Sequence, residues 1–200
     1  ELFSNAAKTS SFSGSVIVVD GGKTVLAKGY GFADREKKIA NAPETIFRVG
    51  SISKQFTAAA ILSLADEGKL SVTDLVSKHL PEYPKENLAK DGVELTLHHL
   101  LSQTSGLPDG LKTKYFKSNV WRQAIDPKLM LAATFAEPLV RKPGTQFEYL
   151  NYNYFILGLI VERVSGKTYD AFMRERFFGP LGMKDTGVLP PANLAARIAH

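Results

Sequence analysis

The chain has no cysteine among its 200 residues. Disulfides, thiolate metal sites and a cysteine nucleophile are thereby excluded. It also lacks a long apolar run. The strongest, Tyr154 to Val161, is far short of the roughly 20 residues a bilayer-spanning helix needs. No block of like charge is present. Lys and Arg number 25 against 20 Asp and Glu, giving a net charge of +5, and the two signs are interleaved. A nucleic-acid binder concentrates its basic residues, so no nucleic-acid partner is expected. There is no internal repeat, low-complexity tract or clear interdomain linker. The first residue is Glu1 rather than Met, which leads us to expect that an upstream segment, such as a signal peptide, has been removed.

What is present is an ordinary globular balance, 44% hydrophobic and 22% charged, in a chain long enough for one domain with a sizeable core. The order of elements is two strands followed by many helices. Ser15 to Val19 is β-branched and apolar, Asp20-Gly21-Gly22-Lys23 is turn chemistry, and Thr24 to Gly31 returns as the second strand of a hairpin. Ile46 to Val49 is a short extended piece ending at Gly50. A helix is expected from Ser51 or Ser53 to Asp66, stopped at Gly68. Phe56, Ala58, Ala59, Ala60, Ile61, Leu62, Leu64 and Ala65 cover most of its circumference, so burial on most sides is expected. Asp74 to Leu80 reads as a short helix, and Pro81 to Gly92 as a surface loop. Thr96 caps a helix through Leu101. Asp109 to Asn119 reads as loop. Further helices are expected at Pro127 to Phe135, with Asp126 as cap, at Asn153 to Val164, and at Tyr169 to Phe178.

Within this order one tetrad carries chemistry. Ser51-Ile52-Ser53-Lys54 places a hydroxyl and an amine three residues apart at the start of the long helix, where residues i and i+3 share a face. A nearby amine can take the serine proton, and the helix dipole favours negative charge at that end. Alone the tetrad also reads as a serine cap with an exposed first-turn lysine, because about one chance match is expected in a chain of this length. Two features favour chemistry. The apolar helix behind Lys54 implies partial burial, which lowers a lysine pKa toward neutral and makes it a usable base. Far downstream, Tyr149-Leu150-Asn151 opens a second apolar helix. A phenol beside an ammonium can shuttle a proton, and an amide can orient a lysine or a substrate carbonyl. The cluster Tyr149, Tyr152 and Tyr154 also reads as core packing with one polar tip outward.

Taken together, four segments resemble the serine β-lactamase-like and penicillin-binding-protein superfamily, most closely its class C β-lactamase and esterase branch. They are Ile46 to Thr57, Glu67-Gly68-Lys69-Leu70, Leu95 to Leu107 and Tyr149-Leu150-Asn151. The hairpin from Phe12 to Asp34 and Pro180-Leu181-Gly182-Met183 fit as well. The likeness covers nearly the whole chain, in order. It implies an α/β (α+β), β-lactamase/transpeptidase-like fold: an antiparallel sheet flanked by helices plus a helical subdomain. Residues 1–200 would then be a single incomplete domain, with 1–50 forming sheet and 51–200 mainly helical.

The resemblance also implies roles. Ser51 would be the acylated nucleophile and Lys54 would help deprotonate it. Tyr149 would act as general base and acid, and Asn151 would hold Lys54 and the substrate carbonyl. The Ser51 N–H would form half of an oxyanion hole. A serine hydrolase acting on an ester, amide or β-lactam is implied, with a small-molecule or peptide-like substrate and no metal or organic cofactor. The alternative is a non-catalytic relative that senses a ligand or binds a partner. Localisation is expected to be periplasmic or secreted, with the cytoplasm as the alternative.

Two departures stand out. Family members often carry His where this chain has Gln103, and no role is carried onto Gln103, His98 or His99. The third family motif, Lys-Thr-Gly or His-x-Gly, is absent, as are three later strands and a terminal helix. A two-stranded hairpin is marginal alone, so a C-terminal segment or second chain is expected to complete the fold. The loop Asp109 to Arg122, with Tyr115, Phe116 and Trp121, is the candidate for one cleft wall.

Overall fold

The computed structural model describes residues 2–9, 11–108, 127–188 and 199, with backbone only at 127–129. Asp126, the loop 109–119 and the candidate wall through residue 122 lie outside the described residues. The chain divides into two compact units. One comprises residues 1–51 and 181–200, the other residues 52–180.

The first unit holds helix α1 (Leu2–Lys8) and strands β1 (Gly14–Asp20), β2 (Lys23–Tyr30), β3 (Phe32–Asp34) and β4 (Ile39–Ala40). β1 and β2 pair antiparallel, from Gly14 opposite Tyr30 to Asp20 opposite Lys23. Gly21 and Gly22 both take positive φ, 52° and 77°, as the tight hairpin turn that matches strand twist requires. Phe3, Phe12 and Tyr30 pack where α1 meets the strands, with ring centroids 5.5 to 6.3 Å apart. Away from that cluster the hairpin is bare: Ile17, Val18, Val19 and Val25 are exposed. Because successive side chains alternate, apolar surface lies open on both faces. Ser13 and Asn41 tie β3 and β4 to the hairpin's base, through Ser13 Oγ to Phe32 O at 2.8 Å and Asn41 Nδ2 to Tyr30 O at 2.8 Å. Neither α1 nor the β3–β4 pair was expected from the sequence. Both are short.

The second unit is helical. It contains α2 (Ser53–Asp66), α3 (Val76–His79), a small hairpin of β5 (Ala89–Lys90) and β6 (Val93–Glu94), α4 (Leu97–Leu101), α5 (Pro127–Phe135), α6 (Asn151–Ser165) and α7 (Tyr169–Met173). α2 buries Thr57, Ala60, Ile61 and Leu64, a stripe at helical spacing, while Leu62 is half exposed. The fully buried stripe turns toward α6, Phe56, Ala58, Ala59, Ser63 and Ala65 are half-buried, and only Ser53, Gln55, Leu62 and Asp66 of α2 are exposed, in keeping with the expected burial on most sides. α6 answers with Tyr152, Asn153, Ile156, Leu157, Ile160 and Val161. Fully burying each large aliphatic side chain contributes about 1.5–3 kcal/mol, so this seam is a substantial part of the unit's cohesion.

The caps follow local chemistry. α2 ends in a Schellman arrangement: the Gly68 N–H donates to Ala65 O at 2.8 Å and the Lys69 N–H to Leu64 O at 3.0 Å, with Gly68 left-handed at φ 70°. Thr96 caps α4 by accepting the His99 N–H, while His99 Nδ1 accepts the Thr96 N–H at 3.2 Å. Burial holds the His99 imidazole below its usual range, with the nearby His98 acting the same way. α7 starts at the Thr168 cap and widens into a π turn over Arg174–Phe178. That turn brings Phe178 edge-on to Phe56 of α2, centroids 5.5 Å apart.

Three boundaries differ from expectation. α3 begins at Val76 rather than Asp74 because the Asp74 carboxylate is used as a loop hub. It accepts from the Ser71 N–H at 2.9 Å, Lys78 Nζ at 2.8 Å and His79 Nε2 at 3.0 Å. Residues 81–92 are not a plain loop but carry a 3₁₀ turn, Lys85–Leu88, and then β5. α6 begins at Asn151, two residues early, for a reason that belongs to the site.

Candidate active site

α2 opens the site. A 3₁₀ turn, Gly50–Ile52, runs into its first residue, Ser53. Ser51 is exposed and is the last residue of the first unit's N-terminal segment, whereas Lys54 belongs to the second unit. Chain order puts Ser51 three residues before Lys54. The N-cap position of α2 is Ile52, which has no side-chain acceptor to offer the first-turn amides.

Lys54 is half-buried. Its Nζ donates to Asn151 Oδ1 at 2.8 Å, a bond spanning 97 residues of sequence. The same Nζ lies 4.6 Å from the centroid of the Tyr149 ring and 5.9 Å from that of Tyr154. These are cation–π distances. Tyr149 is 49% exposed, while Tyr152 is buried. Tyr154 Oη donates to Leu101 O at 2.9 Å. Burial pushes the Tyr154 phenol up, and Tyr149 adds to it. Of the three tyrosines, Tyr149 is the exposed one at the lysine, Tyr152 is buried and Tyr154 is anchored through its hydroxyl. The structure thus brings Lys54, Tyr149 and Asn151 together from α2 and the mouth of α6.

Sequence reasoning left Gln103 without a role, and the structure shows what it touches. It follows α4 at φ 59°, left-handed for a non-glycine residue, a conformation that costs about 1–2 kcal/mol. It is buried. Its backbone carbonyl accepts the Glu148 N–H at 2.8 Å. Its Oε1 accepts the Leu150 N–H at 2.9 Å and Asn153 Nδ2 at 2.6 Å. Leu150 is thereby held extended, at φ −124° and ψ 125°, and α6 starts immediately after it. Glu148 also pairs with Arg141. The sequence signals for Gln103 are its polar character between the apolar end of α4 and Thr104-Ser105-Gly106 and its place where family members often carry His; its partners 47 and 50 residues away are not visible there. His98 is exposed and His99 serves as a cap. Among the described residues no three His, Asp or Glu side chains are grouped so as to hold a metal ion, and no helix is long and apolar enough to cross a membrane.

A sheet-and-helix chain with a lysine, a tyrosine and an asparagine gathered at two helix starts defines a β-lactamase/transpeptidase-like protein. The chain belongs to the Beta-lactamase family, whose model matches residues 2–200. It is 38% identical over 172 residues to Protein flp of Staphylococcus aureus (strain MW2), covering 86% of this chain and 34% of flp. It is 36% identical over 187 residues to the putative penicillin-binding protein PbpX of Bacillus subtilis (strain 168), covering 94% of this chain and 44% of PbpX. The chain thus spans less than half the length of these relatives. Among solved structures it is similar to EstCE1, described as a hydrolase with promiscuous acyltransferase activity. That match has a TM-score of 0.82 at 27% identity and covers 98% of this chain and 54% of EstCE1.

Proposed function

We propose that the protein is a serine hydrolase that works by acyl transfer, with Ser51 as nucleophile and Lys54, Tyr149 and Asn151 as its proton-handling and orienting groups. The observation that carries the reading is the Lys54 Nζ to Asn151 Oδ1 bond of 2.8 Å beneath the Tyr149 ring. An amine held between an amide oxygen and a phenol ring has a fixed direction, which a proton carrier needs.

In this reading Ser51 Oγ attacks the carbonyl of an ester, amide or β-lactam. Its proton leaves to the Lys54–Tyr149 pair as the Oγ–C bond forms. The pair returns that proton to the leaving oxygen or nitrogen as the old bond breaks. Water then attacks the acyl-enzyme, and Ser51 is regenerated with its hydrogen. Asn151 fixes Lys54 and offers its amide to the substrate carbonyl. The kinship with EstCE1 and PbpX supports an acyl substrate; penicillins and simple esters are the two classes to compare. The periplasm or the exterior of the cell is the expected compartment. The reading also holds that further chain, in the same polypeptide or a second one, covers the hairpin, because Ile17, Val19 and Val25 are exposed and an open, apolar hairpin is marginal in water.

The test is intact-protein mass spectrometry of the full-length protein after exposure to a fluorophosphonate and, separately, to a penicillin. The expected result is an adduct that disappears in Ser51→Ala. No adduct with either probe on folded protein overturns the reading in favour of a ligand-binding relative.

A further inference from the structure

Gln103 grips the chain on both sides of Tyr149. In extended chain the N–H groups of residues i and i+2 point the same way, and successive side chains point in opposite directions. Gln103 takes both of those N–H groups, Glu148 with its backbone carbonyl and Leu150 with its side-chain oxygen. Leu150 is thereby turned inward, 5% exposed, and Tyr149 outward at 49%. The same Oε1 accepts from Asn153, in the first turn of α6. One buried oxygen therefore sets where α6 begins, and with it where Asn151 stands relative to Lys54.

The arrangement is held against two opposing effects. The Gln103 backbone is left-handed. Gln103 Nε2 and Asn153 Oδ1 are buried with no hydrogen-bond partner among the described residues. An apolar residue at 103 would avoid the buried orphan amide, and a glycine would relieve the backbone. Only a side chain with an acceptor at the right reach holds Leu150.

We infer that Gln103 is a positioning residue of the acyl-transfer site, fixing Tyr149 and Asn151 against Lys54 through the Leu150 N–H. It touches neither substrate nor reacting atom. This rests on the proposed acyl-transfer reading. The substitution that isolates it is Gln103→Met, which keeps length and approximate volume but removes the acceptor. A 1 Å error in a reacting group costs about 100-fold in rate. The full-length Gln103→Met protein is therefore expected to hydrolyse p-nitrophenyl butyrate with kcat lowered about 100-fold and KM changed less than about threefold. Its rate of fluorophosphonate labelling falls in parallel.

A second variant guards against misfolding. In Gln103→His a neutral imidazole can supply one acceptor nitrogen. Protonation removes it, and imidazole titrates ordinarily near pH 6.5. The His variant should stay within about tenfold of wild type above that pH and, below it, lose labelling rate relative to the glutamine protein at the same pH, beyond the acid limb that the Lys54–Tyr149 pair gives both. Circular dichroism and a melting curve establish that each variant is folded under the assay conditions. If folded Gln103→Met labels at the wild-type rate, or folded Gln103→His shows the wild-type pH profile, the positioning role is overturned. If the wild type itself takes no label at Ser51, the acyl-transfer reading falls, and this inference with it.

Discussion

Lys54 Nζ donates to Asn151 Oδ1 at 2.8 Å, joining the first turn of α2 to the first residue of α6. If this bond directs the lysine toward the serine proton, Asn151→Ala slows fluorophosphonate labelling of Ser51 by about 100-fold, and Lys54→Met by more. Labelling kinetics on folded full-length protein check this; unchanged rates in both variants would remove Lys54 and Asn151 from the mechanism.

Leu64 lies on the buried stripe of α2 and is 0% exposed. Leu64→Ala leaves a cavity at the α2–α6 seam and is expected to lower stability by about 2–5 kcal/mol. Urea unfolding followed by circular dichroism measures it.

The end of α2 depends on backbone conformation rather than packing. Gly68 sits at φ 70°, and a side chain there would meet open space. Gly68→Ala thus costs only the left-handed penalty, about 1–2 kcal/mol. A loss well below 1 kcal/mol in urea unfolding would mean the chain can end the helix another way.

Burial raises the Asp74 carboxyl, but bonds from Lys78, the Ser71 amide and His79 outweigh it and bring it from 3.8 down to about 2. A carboxylate whose pKa falls on folding stabilises the fold above its unfolded pKa. That contribution, roughly 1–2 kcal/mol at pH 7, drains away as pH drops from about 4 toward 2. Asp74→Asn should therefore be less stable than wild type at pH 7, with most of that gap gone at pH 2, where the folded carboxyl is about half protonated. Urea midpoints at the two pH values decide it; a gap undiminished at pH 2 would assign the loss to geometry rather than charge.

The helices with strong local signals were legible in the sequence: α2 with its glycine stop, α4 with its threonine cap, α5 with its leading proline. So was the β1–β2 hairpin, from its Asp-Gly-Gly-Lys turn. The family likeness was legible in the segments around Ser51, Thr104 and Tyr149. What was not legible depends on pairings across the chain. Asp74 is the local exception: it reads as a helix residue, yet its carboxylate collects three donors within five residues of itself. The sequence puts the start of α6 two residues late because Gln103, far upstream, is what holds Leu150 extended. The apolar count along α2 matched its burial, since none of its four alanines is exposed and only Leu62 among its apolar residues faces solvent. Short pieces such as α1 and β3–β4 have too little periodicity to announce themselves.

α6 has two duties on one rod. Its first residue holds the lysine, and Ile156, Leu157, Ile160 and Val161 farther along it are fully buried. A loop-borne amide could swing away while the core stayed intact; one mounted on this helix cannot. Slow amide hydrogen exchange is therefore expected along α6 from its second turn onward, with opening energies close to that of global unfolding. On heating, the ability to orient Lys54 and the protection of those amides disappear together, as a single cooperative event.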